Sequence, residues 1–407
     1  MRYPEFLPKG GTIGFIAPSF GCAIEPYKTR FENAVRIFRE KGYNLYFGPN
    51  CYAAEGLGIS NTPEKCGKEL NEIMTMGRCE YEGSEESEKL EKLNGFVSDD
   101  MTADAVITCG GGELMVEVVP FIDFEAIKNS EPKWYMGYSD NSNFTFLSAI
   151  LADTAAIYGP CAPAFGREPW HKSVEDALKL LSGEIDEVHS YDLWERYDWS
   201  EEEQDSESED EDEHEHEHDI EVDPLLPYHV TEKPEYFYYI PENNTVDKNI
   251  ADKIIIDKNT TGNNDSSISM SGRLLGGCVD ILTLHVGTKY DKVDDFLEKY
   301  KDDGFIWYLE CCDLDPLSMR RAYWQMREAG WFKYAKGFLI GRPRRFGEEA
   351  LGVDQYNAVT DILGELGVPI VMDLDIGHMP PMMPIINGAF AEVECAGNTV
   401  KMKYIYK

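Results

Sequence analysis

The stretch TIGFIAP (12–18), followed by YKTRFENAVRIFREKGY (27–43) and then by AVITCGGG (105–112), decides how the fold is read. The first and third are short runs of β-branched and aromatic residues that stop at proline or glycine, as strands do where they hand over to loops. The second has the length and amphipathic spacing of a helix. Strand, helix, strand is the α/β pattern, so a parallel sheet of flavodoxin or Rossmann type is expected from residue 12 to about 165.

Working outward, two charged stretches interrupt this pattern. One, at about 74–100, is polar and reads as a surface insertion before the strand that ends at Thr108. The other runs from about 195 to 271 and contains EEEQDSESEDEDEHEHEHDIEVD, which cannot bury enough apolar surface to offset its ordering entropy and reads as disorder or a mobile loop. A divalent ion held by His214, His216 and His218 is the minor alternative there to a solvated charge run. After it come SGRLLGGCVDILTLHVGT, a strand FIWYLE, a helix at about 317–331, a strand GFLIG, a helix near YNAVTDILGEL, a strand PIVMDL and two alternating terminal strands. The expected organisation is an N-terminal α/β domain (1–165), a linker (166–270), and a smaller mixed α/β C-terminal domain (271–407).

Composition narrows the function. The 407 residues are 43% hydrophobic and 12% aromatic, enough for a sizeable core. A formal net charge of −37 argues against nucleic acid or an anionic membrane as partner and favours cationic or zwitterionic small substrates. The first twenty residues show no apolar leader, and no run approaches the roughly 18 apolar residues of a membrane span, so a soluble cytoplasmic protein is expected. The ten cysteines contain no CxxC pair and read as buried thiols.

Four features fall where open α/β sheets place their sites, outside the C-terminal ends of strands. Ser139, in WYMGYSDNSNF (134–144), sits on a tight turn two residues after Gly137 and resembles a nucleophile elbow, although Asn141 stands at the second glycine of G-x-S-x-G. A helix cap by Ser139 or Asp140 is the competing reading. Gly110, Gly111 and Gly112 follow a strand and allow close backbone approach to a ligand, as an anion cradle, an oxyanion hole or simply a sharp turn. Glu310 ends an apolar strand, where a carboxylate needs a partner such as an imidazole or loop amides. His378, after Gly377 and before Pro380 and Pro381, is the histidine that follows a strand in a stiffened loop. His285 reads as a core residue, while His171, His189 and His229 flank loops.

Taken in order, GGTIGFIAPS, CGGGE, GYSDNSN, GRLLGG, the strand-end LE and GHMPPMMPIINGA resemble the LD-carboxypeptidase and microcin-immunity family of serine peptidases over nearly the whole chain. Cys278 stands where that family commonly has asparagine. The resemblance implies a Ser139–Glu310–His378 triad in a cleft between the two domains, with the N–H groups of Asp140 and Gly111 as oxyanion hole. It also implies a cytoplasmic homodimer without metal or organic cofactor. Its substrates would be a small peptide, with the L,D-bond before the terminal D-alanine of murein tetrapeptide cleaved, or an aminoacyl-nucleotide amide of an antibiotic. A protein that only binds, with the acidic tract collecting cations or a basic partner, is the alternative from another class.

Overall fold

The computed structural model describes residues 1–75, 103–196, 223–241, 254–257 and 267–407. The insertion expected near 74–100 and the tract carrying His214, His216 and His218 therefore lie, almost entirely, outside the described residues.

The first sheet is built from β1 (Thr12–Ile16), β2 (Asn44–Phe47), β3 (Ala105–Thr108), β4 (Trp134–Gly137) and β5 (Ala156–Tyr158). These are parallel neighbours in the order β5-β4-β3-β1-β2. Every residue of β1, β3, β4 and β5 is buried, which fits uninterrupted apolar runs covered on both faces. The connecting helices include α1 (Tyr27–Glu40), α2 (Pro63–Thr75), α3 (Phe124–Asn129) and α4 (Ser142–Ala152), and α5 (Lys172–Leu181) follows the last of these strands. Because β2 lies outside β1 while β3 lies on its other side, the strand order reverses between β1 and β3. At such a switch point the loops after the strands diverge and leave a crevice.

The second sheet has nine strands, in the order β6-β17-β16-β9-β10-β11-β14-β7 with β8 on β9. Its centre is parallel: β9 (Ser267–Cys278), β10 (Phe305–Glu310), β11 (Ala335–Gly341) and β14 (Ile370–Leu374). Helices α6 (Val279–His285), α7 (Val293–Lys299), α8 (Pro316–Glu328) and α9 (Gln355–Leu363) make the crossovers. Antiparallel strands complete it: β6 (Glu187–His189), β7 (Phe237–Tyr239), β8 (Ile254–Asp257), β16 (Phe390–Ala396) and β17 (Thr399–Ile405). A small hairpin, β12 (Glu349–Ala350) with β13 (Val353–Asp354), precedes α9. The fold is α/β, with a largely parallel first sheet and a mixed second one.

Two segments depart from the expected division. Residues 223–241 lie in the stretch read as a linker, yet Phe237–Tyr239 pairs with β14 and Tyr236 is buried. The acidic neighbourhood masks an aromatic run, YFYYI, that has the composition of a strand. The second is β15 (Ile385–Asn387), which lies in the C-terminal third but adds antiparallel to β5 at the edge of the first sheet.

Helix α4 joins the two halves. All of its residues except Leu151 are buried, so it is apolar around its whole circumference and must be enclosed. Phe146 stacks on Trp331 at 5.3 Å, and the Asn387 amide donates to the Thr145 carbonyl at 2.8 Å. Burying its phenylalanine, leucine and isoleucine side chains is worth roughly 2 kcal/mol each. Helix α4 is thereby held between the two sheets. Among the described residues no helix is long and apolar enough to cross a membrane.

Candidate active site

The loop between β4 and α4 carries Ser139. Its φ of +62° is unusual for a residue with a side chain and is the kind of strained backbone found where a side chain must project from a tight turn. Gly137 makes the turn possible: a Cβ there would lie 2.6 Å from Thr108 Oγ1 and 2.9 Å from Asn141 Cγ. Neither Ser139 nor Asp140 caps a helix, as no side-chain cap bond forms on the 3-10 turn Ser139–Asn141 or on α4. The capping reading is thus overturned. The buried Asp140 carboxylate instead accepts from Ser19 Oγ at 2.5 Å, the Met115 N–H at 2.8 Å and Asn143 Nδ2 at 2.9 Å, tying the loops after β1 and β3 to the Ser139 turn. Burial pushes this carboxyl up to about 6 against those hydrogen bonds.

Glu310 is the last residue of β10 and is fully buried. His378 lies in the loop after β14. The two strands both belong to the second sheet, and β15 returns the chain from His378 to the first. His378 Nδ1 is 2.9 Å from Glu310 Oε2, and His378 Nε2 is 2.9 Å from Ser139 Oγ. With Nδ1 protonated toward the carboxylate, Nε2 presents its lone pair to the serine hydroxyl. Gly377, at φ +98°, lets the loop pass this close, since a Cβ there would fall 2.4 Å from Glu310 Oε2. The Tyr138 ring lies against the imidazole at 5.1 Å between centroids.

The electrostatics of this pair run against its burial. Desolvation alone would raise the Glu310 carboxyl, but the adjacent imidazole and the hydrogen bonds outweigh it and hold the group below the usual glutamate value. Burial would lower His378, and the Glu310 charge instead carries it well above the ordinary 6.5. Tyr158, at the end of β5, donates its hydroxyl to Glu310 Oε1, and the Ser139 N–H points at the same oxygen of Tyr158 at 3.4 Å. Nothing in the short run AIY marks Tyr158 as part of a site; its place depends on β5 lying beside β4.

Gly111 lies against the serine: a Cβ on it would be 3.1 Å from Ser139 Cβ and 3.3 Å from Ser139 Oγ. Gly110 contacts Phe20, and Gly112 contacts Ser19, so the three-glycine loop is wedged between the loop after β1 and the Ser139 turn.

A cavity of about 210 Å³ opens at His378, lined also by Gly110, Gly111, Tyr138, Arg30, Arg167 and Tyr228. The guanidinium of Arg167 donates to the Leu226 carbonyl at 2.6 Å and lies over the Tyr228 ring at 5.0 Å. Arg30 Nε donates to the Pro224 carbonyl at 2.8 Å. The preference for cationic substrates drawn from net charge is thus not matched by this cavity. Fourteen of the chain's carboxylates lie in residues 201–222, so global charge does not describe the local site.

The other described histidines have structural duties. His285 is buried, with Nε2 2.9 Å from Asn143 Oδ1, and desolvation pushes its pKa down to about 4. His171 caps α5 by accepting from the Ser173 N–H, His189 ends β6, and the His229 N–H donates to Glu195. The nine described cysteines are unpaired thiols, all buried except the half-buried Cys312. Among the described residues no three His, Cys, Asp or Glu side chains are grouped to hold a metal ion.

A serine hydroxyl, an imidazole and a buried carboxylate aligned at strand ends make an arrangement suited to acyl transfer. The chain belongs to the peptidase S66 family of hydrolases: the LD-carboxypeptidase N-terminal domain matches residues 75–159 and the LD-carboxypeptidase C-terminal domain matches residues 271–393. Its fold is shared with MccF solved in complex with glutamyl sulfamoyl guanosine, at a TM-score of 0.67 and 18% identity, covering 99% of this chain and 98% of that one. An MccF-like protein from Bacillus anthracis str. Ames aligns with a TM-score of 0.67 and 18% identity over 100% of both chains. Another from Streptococcus pneumoniae, in complex with AMP, gives 0.64 and 17% over 97% of this chain and 99% of that chain. No curated protein matches the chain.

Proposed function

We propose that the chain hydrolyses an amide through an acyl-enzyme, with Ser139 as nucleophile, His378 as general base and acid, and Glu310 as the partner that orients and charges the imidazole. The observation that carries this reading is the single imidazole whose two nitrogens each lie 2.9 Å from the other two members. His378 Nε2 takes the Ser139 proton as Oγ attacks the carbonyl carbon. The N–H groups of Gly111 and Asp140 receive the oxyanion, and His378 then protonates the leaving amine. Water, deprotonated by His378, releases the acyl group and restores the serine.

The substrate is read as an amide with an anionic group close to the scissile bond, because Arg30 and Arg167 line the adjoining cavity. The terminal carboxylate of a murein tetrapeptide, cleaved as an LD-carboxypeptidase would cleave it, meets this requirement and agrees with the family description. An aminoacyl-nucleotide amide meets it too, and the sulfamoyl nucleotide and AMP ligands of the structural neighbours favour that second reading. A division into residues 1–165, 166–270 and 271–407, with Phe237–Tyr239 added to the second sheet and β15 to the first, and a cytoplasmic homodimer complete the proposal.

Ser139→Ala should abolish turnover of both substrate types with the fold preserved. If wild-type protein is inert toward both, a role in binding alone replaces the hydrolase. Arg167→Ala should raise KM roughly 10- to 100-fold for a substrate with a free carboxylate or phosphate, the range expected on losing a charge-assisted bond, and leave KM for the neutral amidated analogue unchanged. Equal KM changes for both would remove the anion from the substrate assignment.

A further inference from the structure

We infer that Asn141 is a positioning residue for the oxyanion hole: its side-chain amide clamps the Gly110–Gly111 peptide so that the Gly111 N–H is held toward the carbonyl under attack by Ser139. This rests on the hydrolytic reading proposed above and adds to it a residue that stands where the nucleophile-elbow pattern has glycine.

Asn141 is fully buried, and both its amide nitrogen and its amide oxygen are hydrogen-bonded. Nδ2 donates to the Gly110 carbonyl at 2.8 Å and to the Tyr138 carbonyl at 3.1 Å, while Oδ1 accepts from the Tyr135 hydroxyl at 2.6 Å. Two carbonyls on one side and a hydroxyl on the other leave one orientation of the amide that satisfies all three. The side chain therefore bridges the loop after β3 to the turn after β4, with Tyr135 of β4 as its fixed end.

The consequence for Gly111 follows from peptide geometry. Cis peptides in the described chain all precede proline, so the Gly110–Gly111 peptide is trans, and its C=O and N–H point in opposite directions. With the carbonyl directed at Asn141, the Gly111 N–H leaves on the opposite side. That N–H donates to no described residue, and Gly111 itself lies against Ser139 Oγ. On its other side the Gly111 carbonyl accepts from the Phe20 N–H at 2.8 Å, so both peptides flanking Gly111 are held. A clamp is needed here because a peptide between glycines rotates with little steric resistance. The Gly137 position serves the same device, as a Cβ there would press on Asn141 Cβ at 3.0 Å.

The test uses a fluorophosphonate on the full chain. Ser139 Oγ forms a bond to phosphorus, fluoride leaves, the serine proton passes to His378, and the phosphoryl oxygen takes the place of the oxyanion. Loss of a whole oxyanion donor costs on the order of 10²- to 10³-fold, so loss of its clamp in Asn141→Ala is expected to slow labelling at saturation about 10- to 100-fold, with the half-saturating probe concentration unchanged. Asn387→Ala is the matched control: Asn387 is equally buried and also donates to a carbonyl, that of Thr145, away from Ser139. It should lower the melting temperature but not the labelling rate. Folded Asn141→Ala that labels at the wild-type rate, or slowing by Asn387→Ala of the same size, would overturn the inference. Should Asn141→Ala not fold, Tyr135→Phe, which frees Oδ1 but keeps the ring, should slow labelling by roughly 3-fold, the scale of one neutral hydrogen bond. A wild-type rate there overturns the inference as well. Wild-type protein that does not label, like Ser139→Ala, would instead remove the nucleophile on which the inference rests, a failure visible before any Asn141 variant is made.

Discussion

Two histidines, the buried His285 and the half-buried His378, meet the same five-residue stretch, Ser139 to Asn143, and leave it with opposite electrostatics. Ser139 Oγ lies 2.9 Å from His378 Nε2, and four residues on, Asn143 Oδ1 lies 2.9 Å from His285 Nε2. Burial disfavours the imidazolium in both. His285, facing a neutral amide, is pushed down to about 4, whereas His378, with Glu310 on its other nitrogen, is carried above 6.5. The partner's charge, not the depth of burial, decides whether a histidine is held as neutral packing material or, as proposed for His378, is tuned to serve as a base.

The strongest way to break the contrast is to give His378 a neutral partner. Glu310→Gln keeps the shape of the side chain but removes the charge and allows the wrong tautomer. A kcat loss of about 10⁴-fold is expected by analogy with other triads. The pH profile should move as well. A base must be neutral to act, so the raised pKa of His378 puts the acidic limb of wild-type kcat/KM above pH 6.5, and activity rises as pH climbs through it. Without the Glu310 charge, the largest of the groups that raise it, the residual limb should shift downward, toward the behaviour of His285. A variant within tenfold of wild type, or an unmoved limb, would mean that Glu310 does not charge the imidazole.

The second test sharpens the same contrast through stability. His285 is neutral in the folded state and titrates near 6.5 when unfolded, so unfolding takes up a proton between these values. Its contribution is therefore present above pH 6.5 and lost as pH falls toward about 4. His285→Gln, which does not titrate, should be less stable than wild type near neutrality. The difference in unfolding free energy should narrow by up to about 3 kcal/mol between pH 7 and pH 4, while turnover stays close to wild type. Denaturant titrations at both pH values measure this, and a pH-independent difference would show that His285 is not a buried neutral group.

These two histidines also mark what could be read without coordinates. Ser139, Glu310 and His378 were legible because Glu310 ends an apolar strand and the other two follow strands beside glycine or proline, signals carried by neighbours in sequence. His285, inside an apolar helical run, was legible as packing for the same reason. Tyr158, Arg167 and Tyr228 were not, since their positions depend on which strands become neighbours and on where residues 223–241 return. Asn141 was visible only as a missing glycine. Its role requires the loop after β3 to come within 3 Å of the turn after β4, which no local pattern encodes.

The smallest expected effect separates Glu310's charge from the geometry that holds it. Tyr158 donates to Glu310 Oε1, the oxygen not used by His378, and its own ionisation is pushed far up by burial and by the Glu310 charge, so it remains a donor across the working range. Tyr158→Phe leaves the carboxylate ionised but frees one oxygen to rotate. Losing a hydrogen bond to a charged group costs about 1.5–3 kcal/mol, part of which reaches the transition state, so kcat should fall roughly 10-fold with little change in KM. With one stabilising donor removed, Glu310 binds a proton more readily and pairs less rigidly with His378. The acidic limb of kcat/KM should therefore stay above pH 6.5 but move by far less than in Glu310→Gln. A limb that shifts as far as in Glu310→Gln would assign to Tyr158 the charge-holding role now given to the carboxylate, and a kcat equal to wild type would leave Glu310 positioned by His378 and its strand alone.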